Sequence, residues 1–198
     1  MTKICFLPGA GASATFWRPV ADRLDPNRDK RFFSWPGLGN QPHDPSVRGL
    51  DDLVSMVLSD LGEPADLIAQ SMGGLIAARV ALAAPGKIRR LVLIATSAGV
   101  PVHAFGAIDW RSGYQREFPT AANWITEVNE DLSPTLPLIA VPCLLIWGDA
   151  DAISPPAVGR RLCELLPDAR LHIVRGGDHN LAQTHADQIA PLITEHLQ

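Results

Sequence analysis

One serine sits where an apolar run turns into an alanine-rich helical pattern. The run is Ala65-Asp66-Leu67-Ile68-Ala69, the helical stretch reaches from Leu75 to Ala84, and Gln70-Ser71-Met72-Gly73-Gly74 lies between them. Only a sharp turn joins a strand to a helix in so few residues. Small residues around the serine let the backbone make that turn. It would lift the Ser71 hydroxyl above the edge of a sheet and aim the unpaired N–H groups of the helix N-terminus at it. A strand that runs straight into a helix also favours a parallel partner strand, because the helix serves as the crossover.

The rest of the chain repeats that rhythm. Lys3–Leu7 reads as a buried strand and Ala14–Leu24 as a helix stopped near Pro26. Arg31–Trp35 reads as a second strand, closed by Pro36-Gly37-Leu38-Gly39. Asp44 with Pro45 behind it has the chemistry of a helix N-cap, and Val47, Leu50, Val54, Val57, Leu58 and Leu61 keep a helical stripe. Asp66–Ala69 is the third strand. Ile88–Thr96 is a fourth, apolar on both faces from Leu91 to Ala95 as in a central parallel strand. Cys143–Trp147 and Arg170–Val174 supply two more, with a helix near Pro156–Leu166 between them and a last helix from about Thr184. Six strands with intervening helices predict an α/β architecture: a doubly wound, mostly parallel six-stranded sheet with helices on both faces. The rhythm breaks between residues 97 and 137. That stretch is too long for a plain connection and reads as a short cap insertion in a single domain spanning 1–198.

Composition removes several alternatives. Seventeen basic against 21 acidic residues, with no basic tract, give no electrostatic footprint for nucleic acid. No apolar stretch reaches the roughly 18 residues a membrane span requires, and Met1-Thr2-Lys3 runs into Ile4-Cys5-Phe6-Leu7 without a leader pattern, so a cytoplasmic setting is expected. Cys5, Cys143 and Cys163 are odd in number, scattered and apolar in setting, and read as buried thiols. Gly9-Ala10-Gly11-Ala12-Ser13-Ala14 imitates a dinucleotide fingerprint. That motif needs an acid about 20 residues on to hold the ribose, and the second strand ends at Ser34-Trp35 without one. No cofactor and no metal are therefore expected.

A serine hydroxyl is a weak nucleophile until a base takes its proton, and an imidazole base needs a carboxylate to fix its tautomer. The loop after Trp147 offers Asp149 and Asp151, and the loop after Val174 offers His179, with His185 six residues on. Each lies beyond the end of a strand, and such loops gather at one edge of a parallel sheet. His43, His103, His172 and His196 have no motif around them and are expected at the surface.

These motifs, in this order, resemble the α/β-hydrolase-fold superfamily from end to end, and its small bacterial carboxylesterases and acyl hydrolases in particular, the pimeloyl-carrier methyl esterase-like and menaquinone-pathway lyase-like groups. The resemblance rests on Leu7-Pro8-Gly9-Ala10-Gly11, Trp35-Pro36-Gly37-Leu38-Gly39, Ser71-Met72-Gly73-Gly74, Gly148 with Asp151 and Pro155, and Gly177-Asp178-His179. Pro8 stands where the family has histidine, and Ala69 where it has glycine. The resemblance implies a catalytic triad of Ser71, Asp151 and His179, with an oxyanion hole from the N–H groups of Ala10 and Met72. Asp151, rather than Asp149, matches the family's acid position. The implied activity is a serine hydrolase cleaving a small carboxylic ester or thioester through an acyl-enzyme. The alternatives are a lyase or C–C bond hydrolase on the same triad, and a non-catalytic ligand-binding protein of the same fold. Trp110, Tyr114, Phe118 and Trp124 are the candidate pocket residues above Ser71, with Arg111 and Arg116 as candidate partners for a substrate anion.

Overall fold

The structure, a computed structural model, describes residues 2–198; Met1, where the leader pattern was sought, lies outside them. Six strands form one sheet: β1 (Ile4–Leu7), β2 (Lys30–Phe32), β3 (Ala65–Gln70), β4 (Ile88–Ile94), β5 (Cys143–Gly148) and β6 (Ala169–Val174). Their order is β2-β1-β3-β4-β5-β6, and every pairing is parallel. The order reverses direction beside β1 and β3, so the loops after these two strands open a crevice.

The strand alternation sorts side chains into two cores. Ile4, Phe6, Ile68, Val92, Ile94, Leu144 and Ile146 face one side. There they meet α1 (Arg18–Ala21) and, near the C-terminus, α6 (Leu181–Thr184) and α7 (Ala186–His196). Cys5, Leu7, Leu67, Ala69, Leu91, Leu93, Leu145 and Trp147 face the other side. That side is covered by α2 (Leu50–Asp60), α3 (Met72–Ala83) and α5 (Pro156–Leu165). Burial pushes the Cys5 and Cys143 thiols up to about 12. Cys163 is only half-buried. Among the described residues no helix is long and apolar enough to cross a membrane, and no group of metal-ligating side chains occurs.

Several expected boundaries move. The first helix is a 3₁₀ turn over Ala14–Trp17 followed by the short α1, because Pro19 is tolerated only in a helix's first turn. The second strand ends at Phe32; the Phe33 N–H still donates to Phe6 O at 3.0 Å, and the Phe33 and Trp35 rings are buried. Asp44 caps no helix. Its Oδ1 accepts the Ser46 N–H and hydroxyl at 2.8 and 2.7 Å, a local turn that competes with capping, and α2 begins at Leu50. The last helix is split at His185 into α6 and α7. Between β4 and β5, residues 97–137 fold as 3₁₀ turns around one helix, α4 (Arg111–Glu117).

Candidate active site

Ser71 ends β3 and starts α3 with φ 54° and ψ −125°. This is a sparsely populated conformation for a residue with a Cβ, at a cost of about 1–3 kcal/mol that the surroundings must offset. The offset is visible. The Ser71 N–H donates to Ile94 O at 3.2 Å, and Ser71 O accepts from Gly74 N at 2.9 Å and from Thr96 Oγ1 at 2.5 Å. A Cβ on Gly73 would lie 2.3 Å from Leu7 O, and one on Gly74 would lie 2.3 Å from Thr96 Oγ1. Both glycines are therefore required by close packing of α3 on the strand ends. Ala95 and Ala98, on the loop that carries Thr96, also have positive φ. These three, the non-glycine residues of this kind among the described residues, lie at the same edge of the sheet. Ala69, where the family motif has glycine, is fully buried in the α2–α3 core, so its methyl is packed.

His179 stands half-buried over Ser71. Its Nε2 is 3.0 Å from Ser71 Oγ, and its Nδ1 is 2.9 Å from Asp151 Oδ2. A carboxylate only accepts hydrogen bonds, so the Nδ1 proton points to Asp151 and the Nε2 lone pair faces the serine hydroxyl. Asp151 is buried, and its other oxygen accepts the N–H groups of Ile153 and Ser154, both at 2.9 Å. Its orientation is thus set by the backbone.

Asp149 does something else. Its Oδ1 accepts the Gly176 N–H at 2.6 Å, and Ala150 N donates to Gly177 O at 2.9 Å. These bonds lace the β5 and β6 loops together. The loops touch so closely that a Cβ on Gly148 would lie 2.0 Å from Gly177 O. His185 is turned to the Thr184 hydroxyl at 2.8 Å. His43 bonds Thr120 O, and His103 and His172 are exposed. His196 corrects the surface expectation: it is buried on α7 with Nε2 2.9 Å from Leu91 O, and burial lowers its pKa from the ordinary histidine value.

The Ala10 loop lies against Ser71. A Cβ on Gly9 would be 3.1 Å from Ser71 Cβ and 3.6 Å from Ser71 Oγ. The N–H groups of Ala10 and Met72 donate to no acceptor among the described residues. Pro8, in place of a histidine, uses its carbonyl to accept the Trp35 indole N–H at 2.8 Å. The four candidate pocket aromatics pack into the same apolar cluster as Met72. Trp110 meets Tyr114 edge-on at 5.6 Å, Tyr114 and Phe118 are buried, and Trp124 Nε1 is buried without a partner. A cavity of about 130 Å³ opens beside Tyr114 and Phe118, away from Ser71. Arg111 is consumed within its own segment, donating to Thr126 O and Val128 O and pairing with Asp109, while Arg116 is exposed.

Three supports carried no sequence signal. Gln70 Nε2 donates to His179 O at 3.0 Å, Thr96 holds the Ser71 carbonyl, and the Ser154 hydroxyl bridges the Trp147 indole and Thr96 O. Polar residues are common at strand ends and in loops, so nothing in the sequence singles these three out.

A sequence model described as the alpha/beta hydrolase family matches residues 6–192. The chain belongs to the alpha/beta hydrolase family. A pimeloyl-[acyl-carrier protein] methyl ester esterase of Neisseria meningitidis serogroup B is 26% identical, over 99% of this chain and 93% of that protein. A poly(3-hydroxyalkanoate) depolymerase of Ectopseudomonas oleovorans is 27% identical, over 100% of this chain and 85% of that protein. A hydrolase from Pseudomonas aeruginosa has the same fold, with a TM-score of 0.83 and 20% identity over 99% of this chain and 89% of that one.

Proposed function

We propose that this alpha/beta hydrolase cleaves a small carboxylic ester or thioester through an acyl-enzyme on Ser71. The observation that carries the reading is the unbroken line from Ser71 Oγ to His179 Nε2 at 3.0 Å and from His179 Nδ1 to Asp151 Oδ2 at 2.9 Å. The names of two relatives aligned over nearly the whole chain, a methyl ester esterase and a polyester depolymerase, support the ester linkage.

In this mechanism His179 Nε2 removes the Ser71 proton as Oγ attacks the substrate carbonyl carbon. Negative charge moves to the carbonyl oxygen, where the N–H groups of Ala10 and Met72 receive it. The imidazolium is stabilised by Asp151 through Nδ1–H. It then protonates the departing alcohol or thiol as the tetrahedral species collapses to the acyl-enzyme. Water enters, gives its proton to His179, attacks the acyl carbon and releases the acid and the Ser71 hydroxyl. His179 returns each proton it takes, and in this reading the substrate is a small molecule.

Mass spectrometry after exposure to a fluorophosphonate tests this reading, followed by p-nitrophenyl esters and acyl thioesters of graded chain length. One adduct on Ser71 in the wild type, absent in Ser71→Ala and His179→Ala, is expected. A folded wild type that neither labels nor turns over any ester would sink it in favour of the ligand-binding alternative.

A further inference from the structure

Three successive carbonyls in the loop after β1 are each held by a donor. Pro8 O accepts from Trp35 Nε1 at 2.8 Å, Gly9 O from Ala12 N at 3.2 Å, and Ala10 O from the Tyr114 hydroxyl at 3.2 Å. The same hydroxyl accepts the Gly39 N–H at 2.9 Å. In a trans peptide the N–H points away from the carbonyl that shares its plane. Holding the Gly9 carbonyl therefore aims the Ala10 N–H, and holding the Ala10 carbonyl fixes the next plane. Glycines at 9 and 11 flank Ala10, so the chain itself resists rotation there only weakly. Two of the three ties come from the loop and from Trp35. The third comes from α4.

Tyr114 is well placed to act as a fixed post. It is buried, its ring sits 5.0 Å from that of Phe118, and the Phe118 ring closes on Gly11, where a Cβ would meet it at 2.8 Å. The neighbouring chain is tied to the loop that presents Gly39: Ala122 N donates to Gly37 O at 2.8 Å, and His43 Nε2 lies 2.8 Å from Thr120 O. Burial raises the pKa of the Tyr114 phenol above its usual value, so it keeps the proton it donates to Ala10 O.

We propose that Tyr114 is a positioning residue: its bond to the Ala10 carbonyl fixes the peptide plane after Ala10 and so, together with the Gly9 plane closed by Ala12, steadies the loop whose Ala10 N–H receives the oxyanion. The proposal rests on the serine-hydrolase reading. Tyr114 acts through the loop and touches no reacting atom. Because this third tie is carried by α4, the loop is fully held only while that helix is docked on it.

Tyr114→Phe keeps the ring and removes the hydroxyl; Glu117→Gln, exposed on the same helix, is the control. The first readout is backbone amide hydrogen exchange at Ala12, whose N–H closes the loop on Gly9 O, by NMR, which needs no turnover. Exchange there is expected to rise about tenfold or more in Tyr114→Phe, with β1 and α3 unchanged. The second is p-nitrophenyl acetate hydrolysis. A fall in kcat of about 10- to 100-fold is expected, with KM within about twofold and the pH–rate midpoint unmoved, because His179 and Asp151 are untouched. Affinity for phenylboronic acid, whose adduct on Ser71 is a tetrahedral anion, should fall in parallel. Unchanged exchange at Ala12 overturns the clamp whatever the rates, and so does an acceleration shared by β1 and α3. Faster local exchange with full kcat and boronate affinity overturns the positioning role. If the wild type neither labels at Ser71 nor hydrolyses esters, the serine-hydrolase reading fails, while the exchange data still decide the clamp.

Discussion

Asp66 and Asp151 are both fully buried, at opposite edges of one sheet, and they are held in opposite ways. Asp66 lies near the start of β3, where its Oδ2 takes Nη2 of Arg28 and Nη2 of Arg89, each at 2.6 Å. Arg89 also donates to Leu197 O, tying the C-terminus to the sheet. Asp151 follows β5, with two backbone N–H groups on one oxygen and an imidazole on the other. Guanidinium groups are charged at every accessible pH, so neither partner of Asp66 gives up its charge and the cluster serves as a staple. An imidazole can take up a proton and return it, so the partner of Asp151 can change charge during a reaction. Strain divides the same way: the non-glycine residues with positive φ, Ser71, Ala95 and Ala98, all lie at the Asp151 edge. What a buried carboxylate does is decided by whether its partner can change charge.

Neutralising each carboxylate in turn sharpens that contrast most. Asp151→Asn should lower kcat for a p-nitrophenyl ester by about 10⁴-fold, since an amide neither fixes the same tautomer nor stabilises the imidazolium. The urea midpoint should move little, because the side-chain oxygen can still accept from Ile153 and Ser154. Asp66→Asn should do the reverse, with turnover within twofold and stability down by about 2–3 kcal/mol in urea unfolding. That is less than the 3–5 typical of a fully buried pair, because Arg28 and Arg89 remain 15% and 31% exposed and water can solvate them. A loss of activity in Asp66→Asn matching that of Asp151→Asn would break the division between the edges.

Gly73→Ala probes the strained edge. The added methyl must push α3 away from Leu7 O, and a loss of about 1–3 kcal/mol is expected, together with slower Ser71 labelling by a fluorophosphonate. The smallest effect comes from His196. Burial, with lesser repulsion from Arg170 and Arg90, lowers its pKa in the folded chain, so near pH 6.5 and below the unfolded chain binds a proton that the folded chain refuses. Its contribution to stability is complete above pH 6.5 and is lost as pH falls through the lowered folded value. The urea midpoint of His196→Gln should therefore decline less steeply than that of the wild type over this range; equal slopes would assign the acid sensitivity to other groups.

Much of the fold was legible because it rests on local patterns. Unbroken apolar runs at Ile4–Leu7 and Leu91–Ile94 mark strands buried on both faces, and both cores use them. The places where the pattern misled are places where a side chain found a nearer partner. Asp44 closed on Ser46 instead of capping a helix, and Pro19 shortened a helix that the apolar spacing had extended. His196 looked like a solvated terminal histidine, yet its helix turns it into the core.

By itself the sequence determined the order of strands and helices, the elbow at Ser71, and the placement of Asp151 and His179 one loop beyond their strands. These depend on residue types within a few positions of one another, where propensity and periodicity act. The motif match had favoured Asp151 over Asp149 as the acid, and what each carboxylate touches was left to the tertiary structure. Both lie on one loop two residues apart, and the packing of that loop on Gly176 and Gly177 gives one to the backbone and the other to His179. It also decided that Tyr114, 104 residues from Ala10, closes on the carbonyl there. No local pattern encodes such a contact, because it exists only once the sheet has brought the two loops to the same edge.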